Sequence, residues 1–220
     1  MSQETTPSQA GLVLVAGPWA RTAPAAVNPS YFSPRGLASL SSVDPDPRWR
    51  TLVGSGRSVL ASLIGSRGAA PAAWLPPDWA AAASPGTAGG AAWPISGPGA
   101  PRGAAPSTSS FDAVRVPIRL ASSCRPEDRR LAAALWPLYQ RSPGRDGYSL
   151  NGQPASGLSH ASSFVAAAAS AQAAGHAQTA DRLLGQAQAE NSRYPTYYGA
   201  AWLALGRVLL TTSALGGCSP

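Results

Sequence analysis

Ser110-Phe111-Asp112-Ala113-Val114-Arg115-Val116-Pro117-Ile118-Arg119-Leu120 stands straight after a long loop of Gly, Pro and Ala and opens the part of the chain that reads as continuous helix. Asp112 and Arg115 are three residues apart and Arg119 is four further on, so in a helical segment all three project from one side. A carboxylate held beside a guanidinium stays ionised and oriented, which suits a base that must take a proton from water. The same spacing also describes an Asp at a helix start, favoured by the helix dipole and engaged in a surface ion pair.

Downstream, the apolar period is that of helices. Arg125-Pro-Glu-Asp128 opens one whose Leu131, Leu135 and Leu138 share a face, and Ser142-Pro-Gly144 ends it. Asp146 to Gly152 is a turn-rich connection. Ser159 opens an Ala-rich helix through Ala174, closed by Gly175; His176 to Glu190 carries Ala180, Leu183, Leu184 and Ala187; Tyr197 to Leu210 carries Tyr198, Trp202, Leu205 and Leu209 at the spacing of a buried face.

Upstream, Ser33-Pro34 reads as a helix cap followed by proline at the first helical position, with Leu37, Leu40 and Val43 in register behind it. Asp44-Pro-Asp-Pro47 stops that helix and starts the next, with Asp46 as cap. Trp49, Leu52, Val53, Val59, Leu60, Leu63 and Ile64 give the second helix its apolar face, and the two form an αα-hairpin. Leu12 to Val15 is a short extended piece leading into the Gly17-Pro18-Trp19 turn. Residues 84–110, dense in Gly and Pro, form a long loop that excludes helix and central strand. The reading is all-α, with about seven helices in antiparallel pairs. Residues 1–10 are expected as a disordered tail, 11–215 as one domain and 216–220 as a second tail.

Composition narrows the function classes. The 220 residues carry a formal net charge of +7, which alone would suggest nucleic acid. All 17 basic residues are arginine, however, and only Arg129-Arg130 are adjacent, so the chain presents no stripe that would track phosphates. Cys124 and Cys218 lack metal-ligand spacing, and His160 and His176 are isolated from any Ser or Cys nucleophile pattern; no metal site is expected. The two cysteines could be joined in an exported protein. Met1 to Gln9 has no basic residue, and the apolar run from Gly11 to Ala20 is short and broken by Pro18. The segment reads as neither secretory signal nor membrane span.

Phe111-Asp-Ala-Val-Arg115-Val-Pro117 resembles the Tyr-Asp-Ala-x-Arg-x-Pro segment of glycoside hydrolase family 8, inverting endo-glucanases with relatives acting on xylan and chitosan. Asn28-Pro-Ser-Tyr31-Phe-Ser-Pro34 is similar to a second element of that family. Gly17-Pro-Trp-Ala20 and Leu75-Pro-Pro-Asp-Trp-Ala80 follow the family's order, so the resemblance spans roughly residues 11 to 212.

The resemblance implies part of a six-hairpin (α/α) toroid, an incomplete barrel. It assigns Asp112 as general base, Arg115 as the arginine that fixes and charges it, and Tyr31 as the tyrosine lining the cleaved-bond subsite. Trp19, Phe111, Trp79 and Arg119 become substrate-binding candidates, with Trp93 a further stacking candidate. Phe111 stands where the family usually has Tyr, which removes one hydroxyl near the base. The family's general acid, a Glu, precedes the Gly-Pro-Trp element, and here only Glu4 lies upstream. The implied chain therefore carries the base without the acid, its partner being the missing N-terminal half. A β-1,4-glucan substrate, secretion and no cofactor follow from the same resemblance. A catalytically inactive sugar-binding remnant and a helical scaffold without a sugar site are the alternatives.

Overall fold

The computed structural model describes residues 3–65, 73–100 and 107–215. Helix α1 (Pro34–Val43) begins as its sequence predicts: the Ser33 hydroxyl accepts the Gly36 N–H at 3.4 Å, and Pro34 stands in the first turn. Its buried stripe is short. Leu37 is buried, whereas Leu40 and Val43 face solvent.

Helix α2 (Arg48–Ile64) follows a turn in which an Asp46 carboxylate oxygen accepts the Arg48 N–H at 2.9 Å. Leu52, Val53, Val59, Leu60, Leu63 and Ile64 are buried along it, as read, and α1 packs against it. Gly56 lets the Phe32 ring lie directly on this helix, because a Cβ at that position would overlap the ring. The Asn28–Pro34 segment is thereby pinned to α2.

After the long connection come α3 (Arg115–Ala121), α4 (Pro126–Ala134) and α5 (Trp136–Tyr139). The single helix expected over 125–142 is divided between α4 and α5, since Pro137 has no N–H to donate and its ring crowds the preceding turn. Helices α6 (Ala161–Ala173), α7 (Ala177–Arg193) and α8 (Tyr197–Thr211) complete the chain. Helix α6 is buried on almost every face, which its run of Ala and Ser makes feasible: small side chains let α3, α4, α7 and α8 approach it from different sides. Asp128, fully buried at the start of α4, receives Arg57 of α2 at 2.7 and 3.2 Å and the Ser123 hydroxyl at 2.6 Å.

Strands are few and short. Thr5–Ser8 (β1) pairs antiparallel with Gly11–Leu14 (β2), Thr5 opposite Leu14. The disordered tail expected over 1–10 is thus corrected from Thr5 onward, because pairing with β2 satisfies its backbone while Val13 is buried. Ala25–Val27 (β3), Trp79–Ala82 (β4) and Ala92–Ile95 (β5) form a second sheet in the order β3-β4-β5. Strand β5 lies inside the segment read as loop; as an edge strand it tolerates Pro94. Thr108–Ser109 (β6) pairs with Tyr148–Ser149 (β7). Among the described residues, no helix is long and apolar enough to cross a membrane. Cys218 lies outside the described residues, and the joining of the two cysteines with it.

Candidate active site

The turn that carries Asp112 is shaped by another acid. Asp78, in the Leu75-Pro-Pro-Asp-Trp-Ala80 element just before β4, donates its own N–H to the Thr108 carbonyl at 2.8 Å. One oxygen of its carboxylate accepts the backbone N–H groups of Ser110 and Ala113, each at 2.9 Å. The other accepts the hydroxyls of Thr108, at 3.2 Å, and of Ser110. Residues 110–114 therefore turn around the Asp78 side chain before α3 begins at Arg115.

Asp112 emerges from this turn partly exposed, its side chain retaining 36% of its accessibility. Arg115 donates through one terminal nitrogen to its carboxylate and through Nε to its backbone carbonyl at 3.1 Å. The guanidinium carbon of Arg115 lies 5.9 Å from the centre of the Tyr31 ring. Tyr31 is held there by a short 3-10 turn, Pro29–Tyr31, in which the buried Asn28 side chain accepts the N–H of Ser30 at 3.0 Å and also its hydroxyl. The predicted base and its neighbouring arginine are thus brought together with a tyrosine distant in sequence.

Beside Asp112 an open depression of about 440 Å³ is lined by Phe111, Asp112, His160, Thr196 and Tyr198. The Phe111 ring meets His160 edge-on at 5.0 Å and Tyr198 at 6.1 Å, and the Tyr198 hydroxyl donates to the Phe111 carbonyl. His160 caps α6: its Nδ1 accepts the Ser162 N–H at 3.3 Å, and its Nε2 lies 3.2 Å from the Thr196 hydroxyl. Burial pushes the imidazole below its ordinary value, so it is neutral at pH 7.

No family model and no curated protein matches the chain. Solved structures do. A β-1,3-1,4-glucanase from Paenibacillus sp. X4 superposes with a TM-score of 0.72 at 19% identity, over 95% of this chain and 56% of that one. An endo-1,4-D-glucanase from Vibrio fischeri gives 0.69 at 16% identity, over 94% and 58%. A GH8 endo-β-1,4-glucanase from an Achatina fulica gut metagenome gives 0.64 at 18% identity, over 94% and 58%. The chain has the fold of the family 8 glycoside hydrolases.

It spans less than two-thirds of the length of each of these enzymes, 56–58%. The helical hairpins are accordingly part of the family 8 toroid, an incomplete barrel. Of the other residues that the family 8 resemblance singled out, Phe111 lines the depression while Trp19 and Trp79 do not. Trp19 is exposed on the 3-10 turn Pro18–Arg21, and Trp79 lies in β4 opposite Ile95. Arg119 does not share Asp112 with Arg115. Its guanidinium lies 5.9 Å from the Trp202 ring centre on α8, and burial, reinforced by the charge of Arg115, lowers its proton affinity.

Sequence reasoning missed Asp78 as the organiser of the turn, although it had picked out the element containing it. It also placed Tyr198 and Trp202 on the core face of α8. The buried face consists instead of Gly199, Leu203, Gly206 and Leu210, because the two glycines permit closer approach to α6 than any side chain would. Tyr198 is thereby turned toward Asp112, and Trp202 toward Arg119.

Proposed function

We propose that this chain is the base-bearing part of a secreted family 8 glycoside hydrolase that cleaves internal β-1,4 bonds of a cellulose-type glucan with inversion. The observation that carries the reading is the meeting of Asp112, Arg115 and Tyr31 on this fold, with Asp112 lining an open, aromatic-walled depression.

In this reading Asp112 is the base. It takes a proton from a water molecule as the water oxygen bonds to the anomeric carbon. On the opposite face of the sugar the glycosidic C–O bond breaks, and a carboxylic acid roughly 6.5–9.5 Å away protonates the departing oxygen. Arg115 holds the carboxylate in one orientation, which a base needs before the substrate arrives. Tyr31, stacked beneath Arg115, lines the cleaved-bond subsite and helps to hold the water. The acid comes from the remainder of the barrel, so the partner of this chain is the segment that completes it. The two-carboxylate reaction needs no cofactor.

Reducing-sugar release from carboxymethylcellulose tests the reading in three samples: this chain, a longer polypeptide that completes the toroid, and the Asp112→Asn form of the latter. The expected result is silence, activity, silence. Full activity after Asp112→Asn would remove the base. One observation favours a second reading, glucan binding without cleavage: Asp112 is the sole carboxylate among the residues lining the depression. Binding of cello-oligosaccharides with no hydrolysis by the completed toroid would decide for it.

A further inference from the structure

Two ladders run side by side away from the depression. Asp112 in the turn before α3, then Arg115 and Arg119 on α3, follow one another at helical spacing, Arg119 about 6 Å along the axis from Arg115. On α8, which packs against α3, Tyr198 and Trp202 repeat the same interval, with ring centres 6.3 Å apart. One turn beyond Arg115 and Tyr198 the two helices therefore bring together a second pair, Arg119 over Trp202.

The two arginines differ in their anions. Arg115 is paired with Asp112, whereas the ion pairs of the described residues do not include Arg119. Its Nε is buried without a hydrogen-bond partner. Desolvating part of a guanidinium beside a second cation is unfavourable, and a carboxylate offered to it would be bound by charge-assisted hydrogen bonds. Arg119 and Trp202 also line a pocket of about 270 Å³, several times the volume of a water molecule, with Ser33, Ser39, Ser122 and Arg35 around it. An indole face covers the apolar face of a sugar ring, and the neighbouring fork of donors matches a carboxylate on that ring.

We propose that Arg119 and Trp202 form a subsite for an anionic sugar unit, so that the substrate is a β-glycan bearing uronosyl carboxylates. The proposal rests on the glycan-binding reading above and deepens it. Trp202 stacks on the ring, Arg119 pairs with the C6 carboxylate, and the unit being attacked lies toward Asp112.

The test is titration of this chain, at low salt, with cellotetraose and with cellotetraose oxidised at C6 to glucuronosyl units, followed by calorimetry. The oxidised sugar is expected to bind about tenfold tighter, as one charge-assisted contact implies. That advantage should shrink as salt is raised. Arg119→Gln should abolish the difference between the two sugars, and Arg119→Lys should restore part of it. Equal affinities of the unaltered chain for the two sugars would overturn the anionic subsite while leaving the glycan reading in place. So would an advantage that survives Arg119→Gln. If Arg119 instead meets a carboxylate of a protein segment packed over Leu205 and Leu209, the two sugars bind equally and the subsite is overturned in the same way. Binding of neither sugar would overturn the glycan reading and this inference with it.

Discussion

Asp78 accepts the backbone N–H groups of Ser110 and Ala113 on a single carboxylate oxygen, so one acid builds the turn from which another, Asp112, is presented. Asp78→Ala leaves both donors without their partner. It is expected to cost about 2–4 kcal/mol and to speed amide exchange at Ser110 and Ala113 first. Asp78→Asn keeps a carbonyl acceptor and should lose about half as much. Urea denaturation and exchange NMR read the two effects. Unchanged protection at Ala113 in the Ala variant would show that the turn does not depend on this side chain.

Asp128 and Arg57 tie α4 to α2. The acid is fully buried and its arginine partly so, and the hydrogen bond to Asp128 raises the proton affinity of Arg57. Asp128→Ala strands a partly buried guanidinium and should lower stability by about 3–5 kcal/mol. Replacing both partners together, Arg57→Met with Asp128→Leu, should cost much less than the single change, because no charge is left uncompensated. Denaturation midpoints at constant m-value measure both variants.

The contrast between what the sequence disclosed and what it withheld lies in how each contact is encoded. Ser33-Pro34, the apolar face of α2 and the Asp112–Arg115 pair are local, and their spacing states them directly. Asp78 acts on backbone groups more than 30 residues away, a relationship that leaves no period in the chain. Helix α8 offers two stripes of equal spacing, one of Tyr198, Trp202, Leu205 and Leu209, the other of Gly199, Leu203, Gly206 and Leu210. Counting apolar area selects the first. Packing selects the second, because closeness to α6 is worth more than side-chain size when that helix presents Ala161 and Val165.

Gly206 tests that explanation. A Cβ at this position would overlap Cγ1 of Val165, a side chain with little rotameric freedom in a helix. Helix propensity alone makes Gly206→Ala stabilising by about 1 kcal/mol. Overpacking costs about 1–3 kcal/mol and is expected to prevail, giving a net loss of stability. Adding Val165→Ala to Gly206→Ala should relieve the overlap and leave only the loss of the valine. Thermal unfolding of the single and double variants decides the sign; a rise in Tm for Gly206→Ala alone would mean that α8 does not sit this close to α6.

His160 links the acid-side behaviour of the fold to the candidate site, since the same imidazole caps α6 and supports the Phe111 ring. Burial lowers its proton affinity below the ordinary value of 6.5, against opposing pulls from Asp146 and Glu190. A histidine whose folded value lies below its unfolded one binds protons better when the chain is unfolded. Its contribution is therefore complete above about pH 6.5 and is lost as the pH falls through the folded value. Protonation also turns Nδ1 from acceptor to donor, so the Ser162 N–H loses its cap and a cation appears at the positive end of α6. His160→Asn retains a capping acceptor without the titration. The unaltered chain is expected to lose urea resistance more steeply than the Asn variant as the pH falls below about 6.5. Parallel pH profiles for the two would show that the imidazole is not the group responsible.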